Sequence, residues 1–294
     1  MPIAESSIQK KPHWLRVQFP TSPNFFYVDR LLKEKNLHSI CQSAKCPNIS
    51  ECWTHKTATF LLLGDVCTRN CAFCAVKTGK PEPVSENEGS RIADAVSAMG
   101  LQYVVLTSVT RDDLHDGGAS FFAETIRILK KHAPHIKIEV LIPDFNGQVQ
   151  ALKIVIDERP DVLNHNLEVP EVLYPYINRK KENYARSLHI LEEAKKMGSV
   201  TKSGIMLGLG ETGDDVLHVL QDLRRINCDL LTLSQYLKAT PENINVKKYV
   251  SPEEFERLKK KALSMGFIDV EAGPLIRSSY NAHKMYRSIQ KGVV

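Results

Sequence analysis

The sequence predicts an α/β protein whose preferred architecture is a partial, TIM-like (β/α)6 barrel, and three observations carry that prediction. Six apolar runs, at 58–63, 102–107, 136–142, 161–164, 203–207 and 229–233, have the length of buried strands. Helical periodicity lies between or after them, and strand–helix repeats of this kind imply parallel strands joined by right-handed crossovers. Polar residues gather just past the strand ends, where the loops of such a barrel build a site. A doubly wound open sheet satisfies the same periodicity, so the pattern alone leaves that alternative open.

Length and composition set wide bounds. The chain has 294 residues, enough for one large domain or two small ones, and no composition break follows residue 58. Hydrophobic residues make up 43% and charged residues 25%, an ordinary globular balance that excludes a disordered or fibrous chain. A formal charge of +5 fits an acidic partner or an anionic cofactor, and equally a solvated surface with a small cation excess. No apolar run reaches transmembrane length, and no nucleic-acid or membrane partner is expected. The start, MPIAESSIQKKPHW, lacks the apolar core of a secretory signal, which makes the cytoplasm the default location.

Residues 1 to about 36 read as an irregular arm with Pro12, Pro20 and Pro23, closed by a short helix around Tyr27 to Lys35. Next comes CQSAKCPNISEC, with Cys41, Cys46 and Cys52 in Cys-x4-Cys-x5-Cys spacing and a turn at Pro47 and Asn48. Three thiolates so close together leave one metal position without a local cysteine. A disulfide plus a free thiol is the alternative, and it suits a cytoplasmic chain poorly.

The first strand candidate, Ala58 to Leu63, ends at Gly64 and Asp65, and Cys67, Cys71 and Cys74 follow at once, with Phe73 before the last. A tetrahedral zinc site normally has four ligands. Three soft thiolates on one loop suit an iron–sulfur cluster with one iron left for a substrate or cofactor. Zinc, or a structural cluster with its fourth ligand elsewhere, is the competing reading.

Later strand ends bring further polar groups to one rim. Thr107, Ser108, Arg111 and Asp112 follow the second strand; Asn164, His165, Asn166 and Glu168 follow the fourth. His165 reads equally as a satisfied rim histidine and as a catalyst. LGLGETGDD follows the fifth strand, with Gly208, Gly210 and Gly213 for close backbone approach and Glu211 to bond an amine or hydroxyl. Cys228, at the edge of an apolar run, reads as a buried small hydrophobe. The last helix begins with Ser251 as N-cap, Pro252 at its first position and Glu254 completing a capping box. Gly273 and Pro274 then break regular structure, and the polar cluster Arg277, Ser278, Ser279, Tyr280 is expected to fold over the barrel mouth.

The second cysteine motif, on the loop after a first strand, resembles the radical S-adenosylmethionine superfamily. From KKPHWLR through RSSYNAH the chain is similar to the lipoyl synthase family. CQSAKCPNISECW, LGDVCTRNCAFCAV, VVLTSVTRDDLHDGGA, LNHNLE, KSGIMLGLGET and RSSYNAH carry the likeness, the first being the most discriminating.

The resemblance implies a radical S-adenosylmethionine partial barrel over 58–266, covered by an N-terminal extension, 1–57, and a C-terminal one, 267–294. It implies insertion of sulfur at C6 and C8 of a protein-bound N6-octanoyl-lysine. Cys67, Cys71 and Cys74 would hold a [4Fe–4S] cluster that cleaves S-adenosylmethionine, two molecules per lipoyl group. Cys41, Cys46 and Cys52, with Ser279 as releasable fourth ligand, would hold an auxiliary [4Fe–4S] cluster that supplies the sulfur. No residue is expected to act as an ordinary acid or base. Phe73, Thr107, Ser108, Asn164, Glu168 and Glu211 are candidates for the S-adenosylmethionine or substrate rim. Implied partners are an octanoylated lipoyl carrier domain (2-oxoacid dehydrogenase E2 or glycine cleavage H protein), an electron donor such as flavodoxin or ferredoxin, and an iron–sulfur carrier. Biotin-synthase-like enzymes and methylthiotransferases place their auxiliary ligands differently, and a non-enzymatic iron–sulfur scaffold would leave the polar rim unused. One departure stands out: Asn243 and Asn245 occupy the region where the family often has a histidine, and neither is expected to touch a cluster ligand.

Overall fold

The computed structural model describes residues 10–17 and 19–291, so residues 1–9 of the leading segment read above lie outside the described residues. The chain runs α1 (Pro23–Glu34), β1 (His38–Ser39), α2 (Ile40–Ser43), α3 (Ile49–Thr54), β2 (Thr59–Leu62), β3 (Val66–Cys67) and β4 (Lys77–Thr78). Then follow α4 (Glu88–Met99), β5 (Tyr103–Ser108), α5 (Ala119–His132), β6 (Lys137–Leu141), α6 (Val149–Asp157), β7 (Val162–Asn164) and α7 (Glu182–Lys196). The chain closes with β8 (Thr201–Leu207), α8 (Gly213–Arg225), β9 (Leu230–Gln235), α9 (Pro252–Ser264), β10 (Asp269–Gly273) and α10 (Ala282–Lys291).

All six expected strands form, and they pair in parallel in the order β2-β5-β6-β7-β8-β9. The sheet does not close on itself. A seventh parallel strand, β10, adds to the β9 edge from Asp269↔Leu230 to Gly273↔Ser234. Its sequence, DVEAG, is short and polar and runs into Gly273-Pro274, so only the unpaired edge of β9 makes it a strand. At the other edge β1 pairs antiparallel with β2, His38 opposite Leu61, which covers that edge.

Helix starts differ in detail from expectation. α1 begins earlier than Tyr27, because Ser22 accepts from Asn24 N at 3.2 Å and Pro23 occupies the first helical turn. At α9 only half of the expected capping box forms: Ser251 accepts from Glu254 N at 3.2 Å, while the Glu254 carboxylate pairs with Lys248 at 2.9 Å. The reciprocal box is instead at α8, between Thr212 and Asp215.

The N-terminal helices pack on the barrel through buried Val28, Leu32 and Trp53, with the Phe25 and Trp53 rings 5.1 Å apart. The C-terminal helix does not cover the mouth. It closes the opposite end, where the strands begin: Tyr286 donates to Asp161 at 3.1 Å, Ser288 to Asp269 at 2.8 Å, and Met285 is buried with Val162 and Leu230. An amphipathic helix settles where apolar surface is free, and here that surface lies at the strand starts. Among the described residues, no helix is long and apolar enough to cross a membrane.

Candidate functional site

The loop of Cys67, Cys71 and Cys74 leaves the C-terminal end of β2 through Leu63 and Gly64, at φ 69° and 90°. The short β3–β4 pair closes it, with Cys67 opposite Thr78. Tethers come from several strands' exit loops. Thr68 bonds the Thr110 carbonyl through both N and Oγ1 at 3.0 Å, and Ala72 N donates to Ile177 O at 3.1 Å. Arg69, inside the loop, grips both oxygens of Asp112 at 2.8 Å and Asp144 at 2.7 Å. Burial works against the Asp144 carboxylate, but Arg69 outweighs it and holds the group down at about 2.

One cation addresses a thiol directly. Arg179 Nε donates to Cys71 Sγ at 3.3 Å, and its guanidinium lies over the Phe73 ring, 5.7 Å from the centroid. Partly buried Glu168 sits beside Arg179; desolvation pushes its carboxyl up and the guanidinium opposes the shift.

The remaining rim candidates divide into free and occupied groups. Ser108 Oγ, Asn164 Oδ1 and His165 Nε2 are buried without a hydrogen-bond partner among the described residues. Burial keeps His165 neutral, so its Nδ1–H donates to the Ile142 carbonyl at 2.8 Å and Nε2 is a bare acceptor. By contrast the Thr107 hydroxyl donates to Leu141 O at 2.9 Å. Glu211 does not reach out to a ligand amine: its two oxygens accept from Gly208 N at 2.5 Å and Leu209 N at 2.9 Å, closing its own turn. Gly208, at φ 99°, is required there, since a Cβ would come within 2.3 Å of Lys248 O.

Cys41, Cys46 and Cys52 lie at the other end of the strands. With Ser279 and Arg277 they line a cavity of about 1100 Å³ that runs past Tyr103. Two bonds draw the chain's ends together there: Asn48 Nδ2 donates to Leu275 O at 2.6 Å, and Tyr280 OH to Glu51 at 2.7 Å. Burial, then the neighbouring Cys41, pushes the Cys46 thiol up to about 11 and Cys52 to about 12. Burial does the same to Cys74, which rises to about 12, with Cys71 and Cys67 adding to it.

This donor set fits metal clusters. All seven cysteines are free thiols here. Partly desolvated thiolates that repel one another ionise more readily beside a cation, and iron would supply one. Among the described residues, one trio of ligand atoms is crowded to single-ion spacing, His189, Glu192 and Glu193 on α7. Cys228 is no ligand candidate: fully buried, it points its thiol at the Leu230 carbonyl, 3.5 Å away.

The Radical SAM superfamily matches residues 61–223. A lipoyl synthase of Caldicellulosiruptor saccharolyticus is 51% identical over 282 residues, covering 95% of this chain and 99% of its own. One from Rubrobacter xylanophilus is 47% identical over 286 residues, covering 97% and 89%. The chain belongs to the lipoyl synthase family. Among solved structures, HydG, a maturase of the [FeFe]-hydrogenase, superposes with TM-score 0.59 at 13% identity over 94% of this chain and 61% of its own. Methylornithine synthase (PylB) gives 0.56 at 15% over 84% and 75%. These two likenesses show the partial barrel alone. Membership in the radical S-adenosylmethionine superfamily brings S-adenosylmethionine and an iron–sulfur cluster with it.

For a lipoyl synthase family member, Asn243 is the informative departure. Its side chain is buried, and its amide donates to Cys74 O at 2.9 Å and Ala72 O at 3.3 Å, while Oδ1 accepts from Thr240. Asn243 thus bonds the main chain of Cys74, a candidate ligand, though not its sulfur, whereas Asn245 bonds Lys238 at the surface. Nothing local marked the reach of Asn243 to the cysteine loop, because Ala72 and Cys74 lie about 170 residues away. Asn243→Ala removes these bonds at a cost of about 1–3 kcal/mol. The variant is expected to fold normally and, after reconstitution, to release iron to a chelator several times faster than the unsubstituted protein; an unchanged release rate would show that Asn243 does not hold the loop.

Proposed function

We propose that this protein inserts sulfur at C6 and C8 of an octanoyl chain amide-linked to a lysine of a lipoyl carrier domain. The observation that carries the proposal is the arrangement of two thiol triplets at opposite ends of one set of parallel strands, with a polar lumen between them. When bound, S-adenosylmethionine and the two clusters supply a carbon radical able to take hydrogen from an unactivated methylene, and the sulfur that replaces it.

The chain's own residues bind, orient and exclude. Cys67, Cys71 and Cys74 would hold the upper cluster and leave one iron for S-adenosylmethionine. Cys41, Cys46, Cys52 and Ser279 would hold the lower one. Ser108, Asn164 and His165 offer lone pairs at the rim, and Glu168 adds a carboxyl beside Arg179. Phe73 packs beneath Arg179 and braces the loop. Apolar Val105 on the cavity wall helps keep water from a reactive carbon centre. The carrier would be an E2 or glycine cleavage H domain; the electron would come from a flavodoxin or ferredoxin, and an iron–sulfur carrier would restore the lower cluster. Each C–H bond consumes one S-adenosylmethionine, two per lipoyl group.

The test is an anaerobic reaction of the reconstituted protein with an octanoyl-lysine peptide and excess reductant, read by mass spectrometry. A product carrying two added sulfurs, with 5′-deoxyadenosine formed alongside, is expected. Deoxyadenosine without any sulfur on the peptide would assign another reaction to this barrel.

A further inference from the structure

The loop that carries Ser279 is held from inside the barrel. Lys202 on β8 and Glu139 on β6 form an ion pair in the lumen, with side chains 0% and 1% exposed. Nζ lies 3.0 and 3.3 Å from the two carboxylate oxygens. Glu139 also accepts from the Tyr103 hydroxyl at 2.7 Å and the Asn164 amide at 3.0 Å. Lys202 has one further bond, a donation over 2.6 Å to the main-chain carbonyl of Ser278.

Two features tie this pair to the loop rather than to the fold at large. A buried ion pair is often no more stabilising than apolar residues of the same volume, so core stability does not call for one here. An apolar pair, however, could not hold a carbonyl. The Ser278 carbonyl and the Ser279 N–H belong to one planar peptide, so fixing the first orients the second and the Cα that follows. The side chain of Ser278 adds a second hold, accepting from Asn166 Nδ2 at 2.8 Å. Gly204 makes room for both, because a Cβ there would meet Asn166 Oδ1 at 3.0 Å and Ser278 Oγ at 3.4 Å.

We propose that Lys202 and Glu139 are positioning residues for Ser279: the lumen pair clamps the Ser278 carbonyl and sets the next side chain toward the cavity of Cys41, Cys46 and Cys52. The consequence for the lower cluster rests on the reading of Ser279 as its ligand; the clamp itself does not.

Hydrogen exchange followed by mass spectrometry tests the clamp in the full chain. In the metal-free wild-type protein, peptides spanning 275–281 should already be as protected as in the reconstituted protein, because side chains and not iron hold them. Exchange at the rate of an unstructured peptide in the metal-free protein would overturn the proposal without any variant. In a Glu139→Gln, Lys202→Met double variant, which leaves no lone buried charge, the same peptides should exchange at least about tenfold faster while those of β2 and β5 keep their protection. A uniform rise across the barrel, or no change at 275–281, would make the pair merely structural and overturn the clamp. Iron is counted in the same samples. Loosening with loss of about half the iron supports clamp and ligand together. Loosening with full iron supports the clamp and removes Ser279 as a necessary ligand, so the two readings fail separately.

Discussion

A Cys41→Ala, Cys46→Ala, Cys52→Ala triple variant is expected to hold about four irons, against an expected eight or so in the wild-type protein, and still to cleave S-adenosylmethionine. The expectation follows from how the upper loop is anchored. Its tethers come from Thr110, Asp112, Asp144, Ile177 and Asn243, all near the strand exits, and the lower triplet contributes none of them. Removing the lower thiols costs little packing, since Cys46 and Cys52 are only partly buried and buried Cys41 loses a single sulfur. Sulfur insertion into an octanoyl peptide should fall at least about a hundredfold, because no sulfur source remains in reach of the lumen. Iron content, 5′-deoxyadenosine and thiolated peptide, measured in parallel, decide the matter. Loss of cleavage together with insertion would refute the division of labour between the two triplets.

Ser279 should be nearly as critical, although no metal-site rule based on spacing would choose a serine. It lines the lower cavity beside the three cysteines, in a loop fastened from the outside by Asn48 and from the lumen by Lys202. Ser279→Ala is expected to keep deoxyadenosine formation and lose sulfur insertion. Ser279→Cys replaces a hard oxygen with a softer, tighter thiolate, so the variant should reach full iron and still fail if release of this ligand accompanies sulfur donation. Ser278→Ala should be intermediate and not silent, because that hydroxyl bonds Asn166. Normal lipoyl product from both Ser279 variants would remove the residue from the mechanism and leave the six cysteines in place.

Much of the molecule was legible locally. Strands β2, β5, β6, β7, β8 and β9 and the helices that follow them announce themselves because burial on a regular element repeats at a fixed period. Both cysteine triplets are visible for a related reason: each is a short loop whose ligands come from neighbouring positions. The two lumen charges were not legible: Lys202 lies just before the apolar run 203–207, and Glu139 shares its run with the charge of Lys137.

The sequence by itself determined the repeated α/β plan, the six thiols and the family. Tertiary structure alone decided that β10 joins the sheet, that α10 closes the strand starts and not the mouth, and that Glu211 is occupied by its own turn. It also decided the placement of Ser279 beside Cys41, Cys46 and Cys52 and of Asn243 against Cys74. The physical reason is range. Periodicity records how each residue meets its own element, whereas β10 pairs with residues 39 positions away, Asn243 meets Cys74 across 169 and Asn48 meets Leu275 across 227. Glu211, whose partners are two and three residues away, is the local exception. The energy of the longer contacts arises only once the sheet has brought the two ends of the chain to one cavity.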